Sequence, residues 1–189
     1  MDSFDQLLPV RALFAGYPGS YWVAGGWALD LFAGRVRRPH SDVDVLVLAR
    51  ELDEVAATFT NPRPMVQHPE TDTRRPWEPG EQLTPGPDAL IFPDDANPCQ
   101  ILLAASEVDE WVFHRGRGTI RKPLTEVTLT SPDGTPYLAP EIVLLFKSRG
   151  GRPKDNEDFA DVASLLNADR RQWLRERIAP DHPWIPALH

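Results

Sequence analysis

The chain predicts an α+β fold, a β-sheet core flanked by helices with a C-terminal helical subdomain. Three observations lead there. Strand-like segments come first and helix-like ones last, which favours segregated layers over a strictly alternating parallel architecture. Val43 to Leu48 (VDVLVL) is β-branched and apolar, the pattern of a strand covered on both faces. Just upstream, Gly25-Gly26 separates a short apolar strand from a short helix.

Taken in order, Ser3 and Gln6 have capping-box spacing ahead of an apolar run through Phe14, with Pro9 expected to kink that helix. Tyr21 to Ala24 reads as a buried strand, Trp27 to Phe32 as a helix closed by Gly34, and Glu51 to Phe59 as another helix. Between Asn61 and Pro98, prolines at 62, 64, 69, 76, 79, 85, 87, 93 and 98 are expected to interrupt every element except a strand at Ala89 to Phe92. Trp77, Leu90 and Phe92 would anchor this stretch as an ordered loop over the site. Gln100 to Leu103 and Glu110 to Phe113 read as strands joined by a turn, and Pro132-Asp133-Gly134 as a further turn. Helices are expected at Glu141 to Lys147, Asp155 to Leu166 and Ala168 to Ile178; in the second, Phe159, Val162, Leu165 and Leu166 share a face. This divides the chain into a core over 1–138, including the Pro-rich loop 61–98, and a helical part over 139–189.

At 189 residues and 41% hydrophobic, the chain can bury a real core, as one domain with a tail or as two small domains sharing an interface. Twenty basic against 28 acidic residues leave a net charge of −8, which disfavours a general grip on DNA or RNA. The lone Cys99 excludes an intrachain disulfide. MDSFDQLLPV does not read as a signal peptide, and no apolar run approaches the roughly 20 residues a membrane span needs. The expectation is a cytoplasmic protein with no membrane or DNA partner. Its positive charge gathers locally at Arg35, Arg37 and Arg38, and its overall charge suits a cationic acceptor.

The chemistry is concentrated between Val23 and Val47. On a strand Asp42 and Asp44 project from one face, about 6.6 Å apart at Cα. Two such carboxylates repel unless a cation lies between them. Gly25 and Gly26 leave the backbone open to a phosphate, and the following helix points free N–H groups and a positive dipole end at it. A phosphate cradle beside hard-cation ligands reads as a metal–nucleotide site.

The segment GGWALDLFAGRVRRPHSDVDVLV resembles the signature of the DNA polymerase β-type nucleotidyltransferase superfamily. WVFHRG at 111–116, PYLAPEIVLLFKSRGGRPKDNEDFADV at 136–162 and HPWI at 182–185 resemble a bacterial branch related to aminoglycoside adenylyltransferases and lincosamide nucleotidyltransferases. The resemblance covers most of the chain apart from Asn61 to Pro98. It implies a nucleotidyltransferase-like mixed β-sheet flanked by helices, and Mg²⁺-dependent transfer of a nucleoside monophosphate, AMP by preference, from an NTP to a hydroxyl of a small molecule such as an aminoglycoside-like antibiotic, with release of pyrophosphate. It assigns Gly25 and Gly26 to the triphosphate, and Asp42 and Asp44 to two metal ions. In this pattern a third carboxylate sits on a later strand, at the position held here by Gln100. Glutamine can ligate weakly but cannot take a proton as a base.

Several roles stay open at this stage. Arg38, with Arg35 and Arg37, either clamps phosphates or forms a solvated basic loop. His40 either orients the loop or an aspartate, or is an ordinary loop histidine. Asp30 is expected to face solvent or pair with an arginine. Lys147 either contacts phosphate or suits its helix C-terminus. Asp155 and Asp158 are expected to cap a helix, and Lys154 shares their ambiguity. Trp27 is expected to pack in the core. If Gln100 is not the base, Asp94, Asp95, Glu107, Asp109 and Glu110 are nearby replacements. The alternatives to a small-molecule transferase are a nucleotide-binding protein without turnover and a transferase acting on a macromolecule.

Overall fold

Pro9 begins a helix instead of bending one. A 3-10 turn at Phe4–Leu7, capped by the Ser3 hydroxyl accepting from Asp5 N–H, leads into α1 (Leu8–Phe14), where proline occupies the first turn and its missing N–H costs nothing. The computed structural model describes residues 3–68, 71, 73–78, 80–86, 88–92, 99–115 and 118–189. The chain continues through β1 (Tyr21–Val23), α2 (Gly25–Ala33), β2 (Val43–Leu48), α3 (Leu52–Thr58), β3 (Met65–His68), β4 (Thr73–Pro76), β5 (Ala89–Ile91), β6 (Cys99–Glu107) and β7 (Glu110–Arg115). It closes with β8 (Gly118–Pro123), α4 (Leu124–Val127), β9 (Thr128–Thr130), β10 (Pro136–Leu138), α5 (Pro140–Lys147), α6 (Pro153–Val162) and α7 (Ala168–Arg175).

The strands form one mixed sheet in the order β4-β3-β5-β6-β2-β1-β10-β9, and β7 with β8 branches from the far end of β6. Two pairings are parallel, β2 with β6 and β1 with β10. β2 is central: it lies antiparallel to β1 through Val23↔Val45 and parallel to β6 through Asp44↔Gln100. Five of its six residues are buried, as its apolar sequence requires, and Asp44 is the exception.

The Pro-rich segment departs from expectation. Met65–His68 and Thr73–Pro76 form an antiparallel pair that extends the sheet through β5. The prolines fall outside β3 and at the end of β4, an edge strand with every residue exposed, where a missing N–H breaks no inner ladder. β6 and β7 are also longer than the sequence suggested, turning at Val108, which adopts φ 51°. The last two helices are shorter than expected, and each is followed by tighter turns.

One apolar cluster runs from Leu7 through the central strands to Leu188. Helices α5 and α6 pack against α2, and α7 packs against α5, so the C-terminal helices cover the helix that opens at the glycine pair. No described helix is long and apolar enough to cross a membrane.

Candidate active site

The site forms where β1 ends, α2 begins and β2 emerges. Ala24 donates its N–H to the Asp44 carbonyl at 2.8 Å, which ties the end of β1 to β2 at the acidic residue. The two glycines are not a separate turn; they are the first residues of α2. Gly25 has φ 58°, and a Cβ there would collide with the Asp44 carboxylate. A Cβ on Gly26 would collide with the His40 ring and lie 2.8 Å from Arg38 Nη2. The sequence therefore needs glycine for close approach of its own side chains as well as for an incoming ligand. No side chain caps α2, so its first N–H groups have no side-chain acceptor.

Asp44 is partly buried on β2, whereas Asp42 precedes the strand and is exposed. Burial, and next the charge of Asp42, push the Asp44 carboxyl up to about 6, against the opposing pull of Lys147, Lys154 and Arg152. Gln100 is the register partner of Asp44 on β6, so the two side chains stand next to each other on the sheet. Its amide Nε2 donates to Gln67 Oε1 at 3.3 Å. Among the described residues, no three His, Cys, Asp or Glu side chains are grouped to hold a metal ion. Asp42 and Asp44 nonetheless fit a divalent cation: the carboxyl driven up by burial and a like charge is the donor a cation would relieve. Mg²⁺ commonly takes only one or two protein carboxylates beside substrate phosphates.

Behind this lies a buried ionic network. Asp30 is fully buried on α2; it accepts from Arg37 Nε at 2.6 Å, and its other oxygen lies 2.6 Å from His40 Nε2. The His40 ring also packs against Trp27, a core residue whose indole N–H donates to the Asp42 carbonyl at 3.1 Å. Asp158 is fully buried too, receiving Arg38 through two hydrogen bonds of 3.0 Å, Arg37 Nη2 at 3.1 Å and Lys147 Nζ at 2.8 Å. Asp155 binds Lys147 at 2.9 Å and Arg152 at 2.7 Å. Burial alone would raise both carboxyls, but hydrogen bonds from these cations hold both below the usual carboxylate range, Asp158 far below it.

This corrects the capping expectation: Arg152 holds the N-cap position of α6 without a side-chain capping bond, and both aspartates are buried. Asp30 does not face solvent. Arg38 is committed to Asp158. Arg35 is exposed and stands apart from the network.

Lys147 and Asp44 share a cleft of about 640 Å³ with Gly25, Asp88, Arg149 and Arg152. Sequence reasoning missed Asp88, Arg149 and Arg152, because their closeness to Asp44 and Gly25 joins segments distant in sequence. Of the replacement acids named from sequence, Asp94 and Asp95 lie outside the described residues. Glu107, Asp109 and Glu110 surround the far turn of the β6–β7 hairpin, with Glu107 and Glu110 both bound to Arg121, and do not line this cleft.

The fold, a mixed sheet whose central strand sets Asp44 against a glycine-started helix, is the one seen in nucleotidyltransferases. Residues 6–77 match the family model described as aminoglycoside-2''-adenylyltransferase. Over nearly the whole chain the fold is shared with two solved structures. ANT(2'')-Ia in complex with adenylyl-2''-tobramycin is 16% identical, with a TM-score of 0.61 over 91% of this chain and 95% of that one. The lincosamide antibiotic adenylyltransferase LnuA, lincomycin-bound, is 19% identical, with a TM-score of 0.58 over 87% and 98%. No curated protein matches the sequence. The chain thus shares the fold of these two antibiotic adenylyltransferases, and its residues 6–77 resemble the aminoglycoside-2''-adenylyltransferase family.

Proposed function

We propose that the protein is a Mg²⁺-dependent nucleotidyltransferase that moves a nucleoside monophosphate, preferentially AMP, from an NTP to a hydroxyl of a small molecule. The observation that carries this reading is the Asp44 carboxylate seated against Gly25 at the uncapped start of α2, beside the charge of Asp42. Its relatives are adenylyltransferases, which supports the same chemistry.

The first N–H groups of α2 bind the triphosphate, with the positive end of the helix directed at it. Arg152 and Lys147 line the same cleft and lend it positive charge, partly offset by their pairs with Asp155 and Asp158. Asp42 and Asp44 would hold Mg²⁺, which supplies charge neutralisation at the transferring phosphoryl group. The acceptor oxygen forms a bond to the α-phosphorus as the bond from that phosphorus to the bridging oxygen breaks, and pyrophosphate leaves. The hydroxyl proton needs an acceptor, and Gln100 cannot serve. Asp88 takes that role here: it lines the cleft with Asp44 and is oriented by Thr84 N–H at 2.7 Å.

With Mg²⁺, an NTP and an acceptor, pyrophosphate release is expected. Asp44→Asn is expected to reduce it by about a thousandfold or more, several kcal/mol of lost transition-state stabilisation. Asp88→Asn is expected to lower kcat by roughly 10²–10⁴-fold with little change in KM for the NTP. Full activity in Asp44→Asn defeats the metal assignment, and an unchanged kcat in Asp88→Asn removes it as base.

Gln100 beside Asp44 favours a second reading, a nucleotide-binding protein without turnover. Thermal stabilisation by Mg·ATP with no pyrophosphate from any acceptor, and its appearance in Gln100→Asp, would select that reading.

A further inference from the structure

The cleft beside Asp44 continues into a second cavity of about 380 Å³, and the two share Leu46, Gly86, Leu103, Phe113, Phe146 and Arg149. The walls change character along this length. Near Asp44 they carry Lys147, Arg152 and Asp88; Phe113 and Phe146 stand where the cavities join, and the far end adds Trp111, Pro85 and His114. The three aromatic rings form a rigid cluster. Phe113 stacks against Trp111 at 5.7 Å and meets Phe146 edge-on at 5.1 Å, while Phe146 meets Trp111 edge-on at 6.0 Å. Where the two cavities join, the exposed Arg149 lies over the Phe113 ring at 5.5 Å. No carboxylate among the described residues pairs with it, and none lines the aromatic end.

An ammonium group could use aromatic faces, but Arg149 already lies over the Phe113 ring, so a second cation there would meet a like charge and no carboxylate. An apolar ring would replace water against the aromatic faces, and an oxygen or carboxylate would find the guanidinium. We propose that the acceptor is a hydroxylated molecule with an apolar or aromatic ring face and a neutral or anionic pole, rather than a polyamine. The ring packs on Phe113 and Phe146, Arg149 takes the polar end, and the hydroxyl reaches towards Asp44. The net charge of −8 pointed towards a cationic acceptor; the local lining points the other way.

This assignment rests on the transferase reading, but the two fail separately. Binding of a magnesium complex of a non-hydrolysable ATP analogue tests the transferase site. Binding of three para-nitrophenyl glycosides, followed by saturation-transfer NMR on the full chain, tests the acceptor wall. The glucoside is neutral, the glucuronide anionic and the glucosaminide cationic.

The glucoside and glucuronide are expected to bind more tightly than the glucosaminide. Phe113→Ala is expected to weaken both roughly tenfold, and the milder Phe113→Leu to weaken them less. Arg149→Glu, at an exposed position, is expected to reverse the order of glucuronide and glucosaminide. Equal or tighter binding of the glucosaminide to the wild type overturns the proposal, as does binding of none of the three. If Phe113→Ala instead weakens the ATP analogue, the wall belongs to the base and the proposal falls. If the glycosides bind in the expected order while the analogue does not bind, the transferase reading falls and the preference of the wall stands.

Discussion

Asp44 carries two burdens at once, desolvation and the neighbouring charge of Asp42, and both act against its ionised form. Its carboxyl titrates near 6 in the folded chain against 3.8 ordinarily, so between those values the unfolded state releases its proton first. Stability therefore falls as pH rises through that window, and the full cost is present above about 6. Asp44→Asn removes the charge, so the variant is expected to melt above the wild type at pH 8, by on the order of 1–3 kcal/mol, and alongside it near pH 4. A variant no more stable than the wild type at pH 8 would contradict the desolvation argument. Mg²⁺ should raise the melting temperature of the wild type at pH 8, less so at pH 5, where Asp44 holds its proton. Next to Gln100, Cys99 is buried and its thiol is pushed up to about 12, first by burial and then by the Asp44 charge. The native protein at pH 8 is therefore expected to react with a disulfide reagent far more slowly than the urea-unfolded chain.

Helix α6 shows what its own sequence could and could not say. Asp155, Asp158, Phe159 and Val162 fall at the spacing of a single helix face, and all four are buried. Two acids on an apolar stripe announce buried partners; reading them as caps ignored that periodicity. The partners themselves were not legible, since Arg37 and Arg38 lie 121 and 120 positions from Asp158. Asp158→Ala would leave Arg37 and Lys147 buried without their shared counter-charge, and is expected to cost about 3–5 kcal/mol in urea denaturation. A loss below about 1 kcal/mol would show the network to be screened by water. With both carboxyls depressed in the fold, the stability they contribute is present above 3.8 and is lost as pH falls below it. Acid unfolding of the wild type should therefore be steeper than that of Asp158→Ala.

Across the whole molecule, the legible parts were those with strong local patterns. The buried β2, the helix closed by Gly34 in a left-handed conformation and the run of three helices after β10 all follow from short-range signals; the helices interleaved with the earlier strands depart from the strands-first order. The illegible parts depend on pairing. β3 and β4 are four residues each, separated by prolines, and their sheet is completed only through β5 and β6. Asp44 was readable as a candidate from its strand and the glycines before it, but the cleft it lines is built from α5, the loop after it and the segment preceding β5. Local patterning says nothing of such neighbours.

Because the arginines that follow α2 are clasped by α6, more than a hundred residues downstream, the order of synthesis matters. A growing polypeptide leaving the ribosome would display the acidic strand and both glycines early, yet Arg37 would have only Asp30, and Arg38 no carboxylate, to hold it until α6 is made. Products cut short by a premature stop before position 153 would keep the most recognisable motif and lose the clasp that steadies it.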